Sequence, residues 1–408
     1  MRRALRYGLL VILVLAGATA WLDAATYDAR AWQADYRMLK RDMAQGYANL
    51  DWIVAHRKLD LAALDRDTTA AIDGAHSRVR AWLAIRHFVR AFDDPHVRLT
   101  WGARPVTDSD ATTLRSSTSS GGRIQGVAVD PVAGTDCVAA GYEEGKHAFV
   151  FPFARIAGWT PIRDGDFPTG MLGDIGVLRI AQFGEDRYAA TCALAFKAGI
   201  GRRALQLQVR DLLQRKLAAA LRDLRSRGAK RLLVDVAGNG GGSEWVTDVT
   251  ALLTERLMSR EQPRVAGPRC DRIGIWRGQA PCPVLAEAGS RATLQGTGAW
   301  PGPVLVLVDA STASASEDLV AWLQQNGIAT VIGERTRGAG CGYLDGGTRT
   351  RFRASRFDVV MPNCARFLDD GRNEIEGIAP DIAIPMHLDD AQAQADMLAA
   401  ALGLGTGA

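Results

Sequence analysis

The chain has 408 residues, 47% of them hydrophobic and 23% charged, with a formal net charge of +4. This is the composition of a globular protein long enough for two domains, and it excludes low-complexity and disordered classes. Three of the excess arginines (Arg2, Arg3 and Arg6) lie in one N-terminal segment, and without them the balance falls to +1. No basic run is interleaved with aromatics, which excludes a nucleic-acid partner.

The N-terminal segment has the order of a secretory signal. Met1–Tyr7 is basic, Gly8–Gly17 is apolar, and Ala18-Thr19-Ala20 has a small-x-small pattern. The apolar stretch Gly8–Leu22 spans 15 residues, fewer than the about 20 a membrane helix needs. Residues 1–25 are therefore expected to be a signal peptide. An uncleaved anchor is the alternative and the one expected route to membrane association. In both cases the rest of the chain is expected outside the cytoplasm, periplasmic or extracellular. The six cysteines, none in a CxxC pair, favour disulfides over buried free thiols in an exported chain. Nearest-neighbour pairing gives Cys137–Cys192, Cys270–Cys282 and Cys341–Cys364, one choice among several.

Residues 26–102 are expected to form an N-terminal helical subdomain. Trp32, Tyr36, Leu39 and Met43 make one apolar stripe. Val79, Trp82, Leu83, His87, Phe88 and Phe92 make another, with His87 packed in the core. Asp93-Asp94-Pro95-His96 stops the helix, and Val97–Trp101 alternates as a strand. Residues 103–173 read as a Ser/Thr/Gly-rich linker and a small β-rich insertion, with β-type runs such as Gln125–Val129 and Ala148–Pro152.

From residue 174 to 408 strands and helices alternate. Ile175–Ile180, Arg231–Val236, Pro303–Val308 and Ala329–Gly333 are strands. Leu205–Arg227, Glu244–Leu257, Leu319–Leu323 and Asp389–Leu402 are helical. Thr348–Phe352 and Phe357–Met361 form the arms of a β-ribbon that Cys341–Cys364 would staple. The pattern predicts an α/β fold with a largely parallel sheet.

Four features fall at strand ends or domain junctions, where α/β proteins carry function. Ser314 lies in Asp309-Ala-Ser-Thr-Ala-Ser-Ala-Ser-Glu317, between a strand and a helix. There the free N–H groups of a helix N-terminus can stabilise developing negative charge. Helix capping is the structural alternative. Asn239-Gly-Gly-Gly242 follows Asp235, and its backbone can face an oxyanion; a tight turn is the alternative, and a phosphate loop is a poor match. His96 differs from His56, His76, His147 and His387, which read as structural or solvated, because it follows the helix stop at a subdomain edge. Glu374 can orient a histidine, with Glu376 two residues on as competitor.

Together these motifs resemble the tail-specific (C-terminal-processing) serine peptidase family. The resemblance rests on Thr312-Ala-Ser-Ala-Ser-Glu317 with Ala329-Thr-Val-Ile-Gly-Glu334, on Leu233-Val-Asp-Val…Asn-Gly-Gly-Gly242, and on Gly377-Ile-Ala-Pro-Asp381. The Asp94-Pro-His96 turn is similar to the boundary in the tricorn-core and interphotoreceptor-retinoid-binding-protein-like branches. The resemblance implies an α/β core related to the crotonase and Clp-protease folds, and peptide-bond hydrolysis through an acyl-enzyme.

It further implies Ser314 as nucleophile, His96 as base and Glu374 as the residue that orients it. Gly241 N–H, in the Gly240-Gly241 turn, and Ala315 N–H would hold the oxyanion. No metal or cofactor is implied, and the expected partner is a peptide or protein substrate. Three departures matter. Ala339 stands where Ser–Lys members carry lysine, and Arg335 and Arg337 cannot serve as bases. Pro95 replaces a serine that precedes the histidine in the tricorn-like branch. Residues 103–173 lack a PDZ signature. The competing expectations are a binding protein for a small apolar ligand or peptide on the same scaffold, and an esterase.

Overall fold

A computed structural model describes residues 17, 22–101, 132–267, 272–279, 282–285, 290–355 and 357–404. The signal-like residues 1–16 and 18–21, the run Gln125–Val129 and Cys270 lie outside the described residues. The fold is α/β. The chain divides into two compact units, and neither is continuous in sequence. The first comprises residues 1–122, 264–287 and 342–365; the second comprises 123–263, 288–341 and 366–408.

Among the described residues the first unit contains the helices α1 (Ala29–Gly46), α2 (Leu50–His56), α3 (Leu61–Asp73) and α4 (Arg78–Arg90). Asp28, Asp60 and Ser77 cap α1, α3 and α4 through their side chains. The α1 stripe is as expected, with Trp32, Tyr36, Leu39 and Met43 all buried. On α4 the buried face is Ala81, Ala84, Ile85, Phe88 and Val89. Val79, Leu83 and His87 are exposed, so the expectation of a core His87 is corrected. The small alanines fill the inward positions of the helix turn, and the bulkier Val79 and Leu83 lie on its outer side.

The ribbon arms Thr348–Arg351 and Phe357–Met361 pair antiparallel, and Arg98–Trp101 joins as a third strand on Phe357–Met361. Trp32 meets Phe352 edge-on and Phe357 at a tilt. Phe88 packs on Tyr36 and Trp276. Arg272 and Trp276 donate to carbonyls of α1. These contacts explain why residues 264–287 and 342–365 fold with the N-terminal helices, although the sequence assigns them to 174–408.

The second unit holds a seven-stranded sheet: β1 (Trp159–Arg163), β2 (Thr169–Leu172), β3 (Ile175–Arg179), β4 (Arg231–Asp235), β5 (Val304–Val308), β6 (Ala329–Gly333) and β7 (Ile382–Ala383). The strands lie side by side in chain order. β3 to β7 are parallel, and β1 and β2 join antiparallel. The small β-rich insertion is thus, in its described part, an extension of the main sheet. Ala148–Pro152 is not a strand; Phe149 and Phe151 pack against Phe153 and under the sheet.

Helices α5 (Ala189–Ala195), α6 (Arg202–Ser226), α7 (Trp245–Leu252) and α8 (Ala315–Gln325) cover one face. α9 (Ala391–Ala401) and the 149–156 segment contribute the core of the other. Continuous apolar strands such as Val304–Val308 are required when both faces are covered. The helix expected over Glu244–Leu257 ends at Leu252, and Leu257–Glu261 is a strand paired with Arg291–Gln295.

Cys137 and Cys192 form a disulfide, as nearest-neighbour pairing implies. Cys282, Cys341 and Cys364 are also disulfide-bonded, and no cysteine among the described residues is free. No helix among the described residues is long and apolar enough to cross a membrane.

Candidate active site

In the second unit the parallel strands deliver their C-terminal ends to one place. β4 leads into the glycine loop, β5 into Ser314, and β6 into the turn Thr336–Gly340. The first two are tied together. Gly238 N–H and the N–H groups of Ser311 and Thr312 all donate to Asp309 Oδ1, at 2.8 to 2.9 Å. Ala313 N–H donates to the Asn239 carbonyl (3.0 Å), and Thr312 Oγ1 to the Val236 carbonyl (3.1 Å).

Ser314 is the N-cap of α8, with φ +58° and ψ −114°. That backbone is rare for a residue with a Cβ and costs on the order of 1–3 kcal/mol. Its N–H donates to Glu317 Oε2 at 2.8 Å, one arm of a capping box. Its carbonyl accepts from Asp318 N–H (3.0 Å) and from Arg366 Nη2 (2.9 Å).

Gly241 has φ +101°, and a Cβ there would lie 2.8 Å from the Ala313 carbonyl, Ala315 N and Ser314 Cβ. Only glycine allows this approach. Its N–H, expected to be an oxyanion donor, is bonded in this structure to Asn239 Oδ1 at 2.9 Å. Among the described residues Ala315 N–H and Gly240 N–H have no hydrogen-bond acceptor, and the space beside Gly240 is open.

Glu317 is a residue that sequence reasoning missed. It is fully buried and accepts from Ser314 N–H, Thr336 Oγ1 and the N–H groups of Gly338, Ala339 and Gly340. Burial raises its pKa, and these donors oppose the rise. Ser-x-x-Glu before an apolar helix is the signal that could have found it. Ala339, in the turn that Glu317 gathers, is buried.

Glu374 lies in a 3-10 turn, Glu374–Glu376, and is fully buried, whereas Glu376 is exposed. Glu374 Oε1 accepts from Arg260 Nη2 (2.5 Å) and Oε2 from Arg366 Nε (2.6 Å). The site places Ser314, Ala315, Gly240, Gly241 and Glu374 in one unit.

His96 belongs to the first unit. It is buried, its N–H donates to Asp94 Oδ1 (2.8 Å), and its carbonyl accepts from Tyr343 Oη. The Tyr343 ring meets the imidazole edge-on at 5.2 Å. Gly342, with φ +74°, lies against the ring, where a Cβ would stand 3.0 Å from Nε2. Asp94 also accepts from Tyr47 Oη (2.9 Å), and burial pushes its pKa up to about 6. Among the described residues Glu144, His147 and Asp166 are the one group spaced to hold a cation. The Lys216 ammonium, 2.6 Å from Asp166 Oδ2, already supplies the positive charge there.

A serine on a strained strand-to-helix turn, over a glycine loop at the carboxyl ends of parallel strands, is an arrangement that suits a serine hydrolase with an α/β fold. Residues 174–384 match the sequence profile of Peptidase family S41. The chain belongs to that family and is a serine peptidase. Two solved structures share its fold. One is a putative peptidase from Parabacteroides merdae ATCC 43184, 17% identical, with a TM-score of 0.57 over 93% of this chain and 96% of that one. The other is mature CPAF complexed with lactacystin, 13% identical, with a TM-score of 0.59 over 92% of this chain and 97% of that one. No curated protein sequence matches this chain.

Proposed function

We propose that the protein is an exported serine peptidase that cleaves peptide bonds through an acyl-enzyme on Ser314, with His96 as the base and Glu374 as the carboxylate that orients it. His96 takes the Ser314 Oγ proton as the oxygen attacks the substrate carbonyl carbon, then gives it to the leaving amine. A water molecule, deprotonated by the same imidazole, releases the acid product. Ala315 N–H, with Gly240 N–H, stabilises the oxyanion; one such donor is worth about 3–4 kcal/mol in the transition state.

The observation that carries this reading is the Ser314 backbone, held at positive φ directly before an N–H with no acceptor. Gly342, pressed against His96, supports an imidazole kept in one orientation. Glu374 keeps its two arginine bonds in this role and uses a remaining lone pair for the histidine. Disulfides and the signal-like leader support export.

The test is labelling by a fluorophosphonate probe. Wild type should react, and Ser314→Ala and His96→Ala should not. Equal labelling of all three proteins would sink the assignment.

A further inference from the structure

Arg366 belongs to a closed ring of four charged side chains in the second unit, with Arg260, Arg366 and Glu374 buried and Asp318 partly exposed. Its Nε donates to Glu374 Oε2 (2.6 Å) and its Nη1 reaches Asp318 Oδ1 (3.2 Å). Arg260 closes the ring, with Nη2 on Glu374 Oε1 (2.5 Å) and Nη1 on Asp318 Oδ1. Two guanidinium groups and two carboxylates alternate, so the ring is neutral. The remaining edge of Arg366, Nη2, donates to the carbonyls of Ser314 (2.9 Å) and Gly340 (2.8 Å). Arg366 is buried, and its partners push its pKa above the ordinary arginine range.

The Ser314 peptide has a strained φ and needs something to hold it. Its N–H is held by Glu317, and its carbonyl by the first turn of α8 and by Arg366. Arg366 joins that carbonyl to a second element, the Thr336–Gly340 turn, while its own orientation is fixed by two carboxylates. A planar guanidinium serves four acceptors from one rigid fork, which an ammonium cannot do.

We infer that Arg366 is a positioning residue for the nucleophile: it clamps the Ser314 carbonyl so that Oγ keeps its attacking geometry. Asp318, Arg260 and Glu374 hold that clamp in place. Glu374 thus has a second task beside the one proposed for it above. The inference rests on the nucleophile assignment of Ser314.

The experiment compares the rate constant of fluorophosphonate labelling for wild type, Ser314→Ala, Arg366→Met and Arg366→Lys. Each rate is taken against pH and well below the variant's melting temperature. Loss of the clamp should slow Arg366→Met by about 100-fold, the penalty of a small misplacement of a reacting atom. The loss should persist on the high-pH plateau of the profile; the midpoint itself is free to move, because Arg366 also holds Glu374, the carboxylate proposed to orient the base. Arg366→Lys, which restores one donor, should recover part of the rate; if Arg366→Met does not fold, Arg366→Lys carries the test. A purely structural role would lower the melting temperature and leave the rate of the folded fraction unchanged, which would overturn the inference. A loss confined to the midpoint, with the high-pH plateau rate equal to that of wild type, would overturn it too, since it would place Arg366 on the base alone. A wild type that does not react, or Ser314→Ala that reacts like wild type, would instead defeat the nucleophile assignment.

Discussion

Ser314 shows how much strain a single residue can carry at the position proposed for a nucleophile. With φ +58° and ψ −114° it occupies backbone space that glycine enters freely. Ser314→Gly should therefore raise stability by about 1 kcal/mol while abolishing labelling; thermal melting beside probe labelling reads both. Gly241 is the opposite case. Gly241→Ala forces a Cβ into backbone 2.8 Å away at φ +101°. It should slow labelling by about 100-fold or more, with circular dichroism confirming that the protein is folded. Ser314 and the glycine loop were legible because their neighbours in sequence are also their neighbours in space. Arg366 was not. Its partners Ser314 and Glu374 lie 52 and 8 residues away, and nothing local distinguishes it from other arginines.

At the scale of elements, two carboxylates fix the segments that present the site. Glu317 gathers the start of α8 and the Thr336–Gly340 turn through five donors. Glu317→Ala leaves several of these unsatisfied in a buried place. It should cost about 3 kcal/mol or more, measured by urea denaturation. Asp94 ties the His96 turn to Tyr47 at the end of α1, and its carboxyl titrates near pH 6 when folded against 3.8 as its ordinary value. A raised carboxyl pKa means that the folded state binds the proton more tightly. Stability contributed by this group is therefore present below about pH 4 and lost as pH rises to about 6. Asp94→Asn should flatten the melting temperature over that window relative to wild type. Helix positions were legible from period and caps, but the inward face of α4 was not. Alanine gives a weak apolar signal even where, as at Ala81 and Ala84, it is buried.

At the scale of the whole molecule, the Cys137–Cys192 bridge closes a loop of 55 residues in the second unit. Replacing both cysteines by serine should cost about 2–4 kcal/mol in a melting experiment, and a reducing agent should lower wild type at least as far, because it also opens the disulfides of Cys282, Cys341 and Cys364. The α/β class and every parallel strand from β3 to β6 could be read from apolar runs of strand length. The division into units could not, because the stretches that join the N-terminal helices are short and have no composition of their own. That division sets an order of events. Among the described residues the strand Arg98–Trp101 pairs with Phe357–Met361, so its partner is made some 250 residues later. The first unit, begun first, cannot be finished until residue 365 has been synthesised, while the second still awaits its terminal strand and helix. His96 is thus among the early residues translated and among the last to be fixed in place, and a fragment cut after residue 102 would hold a histidine turn without the strands that shape it.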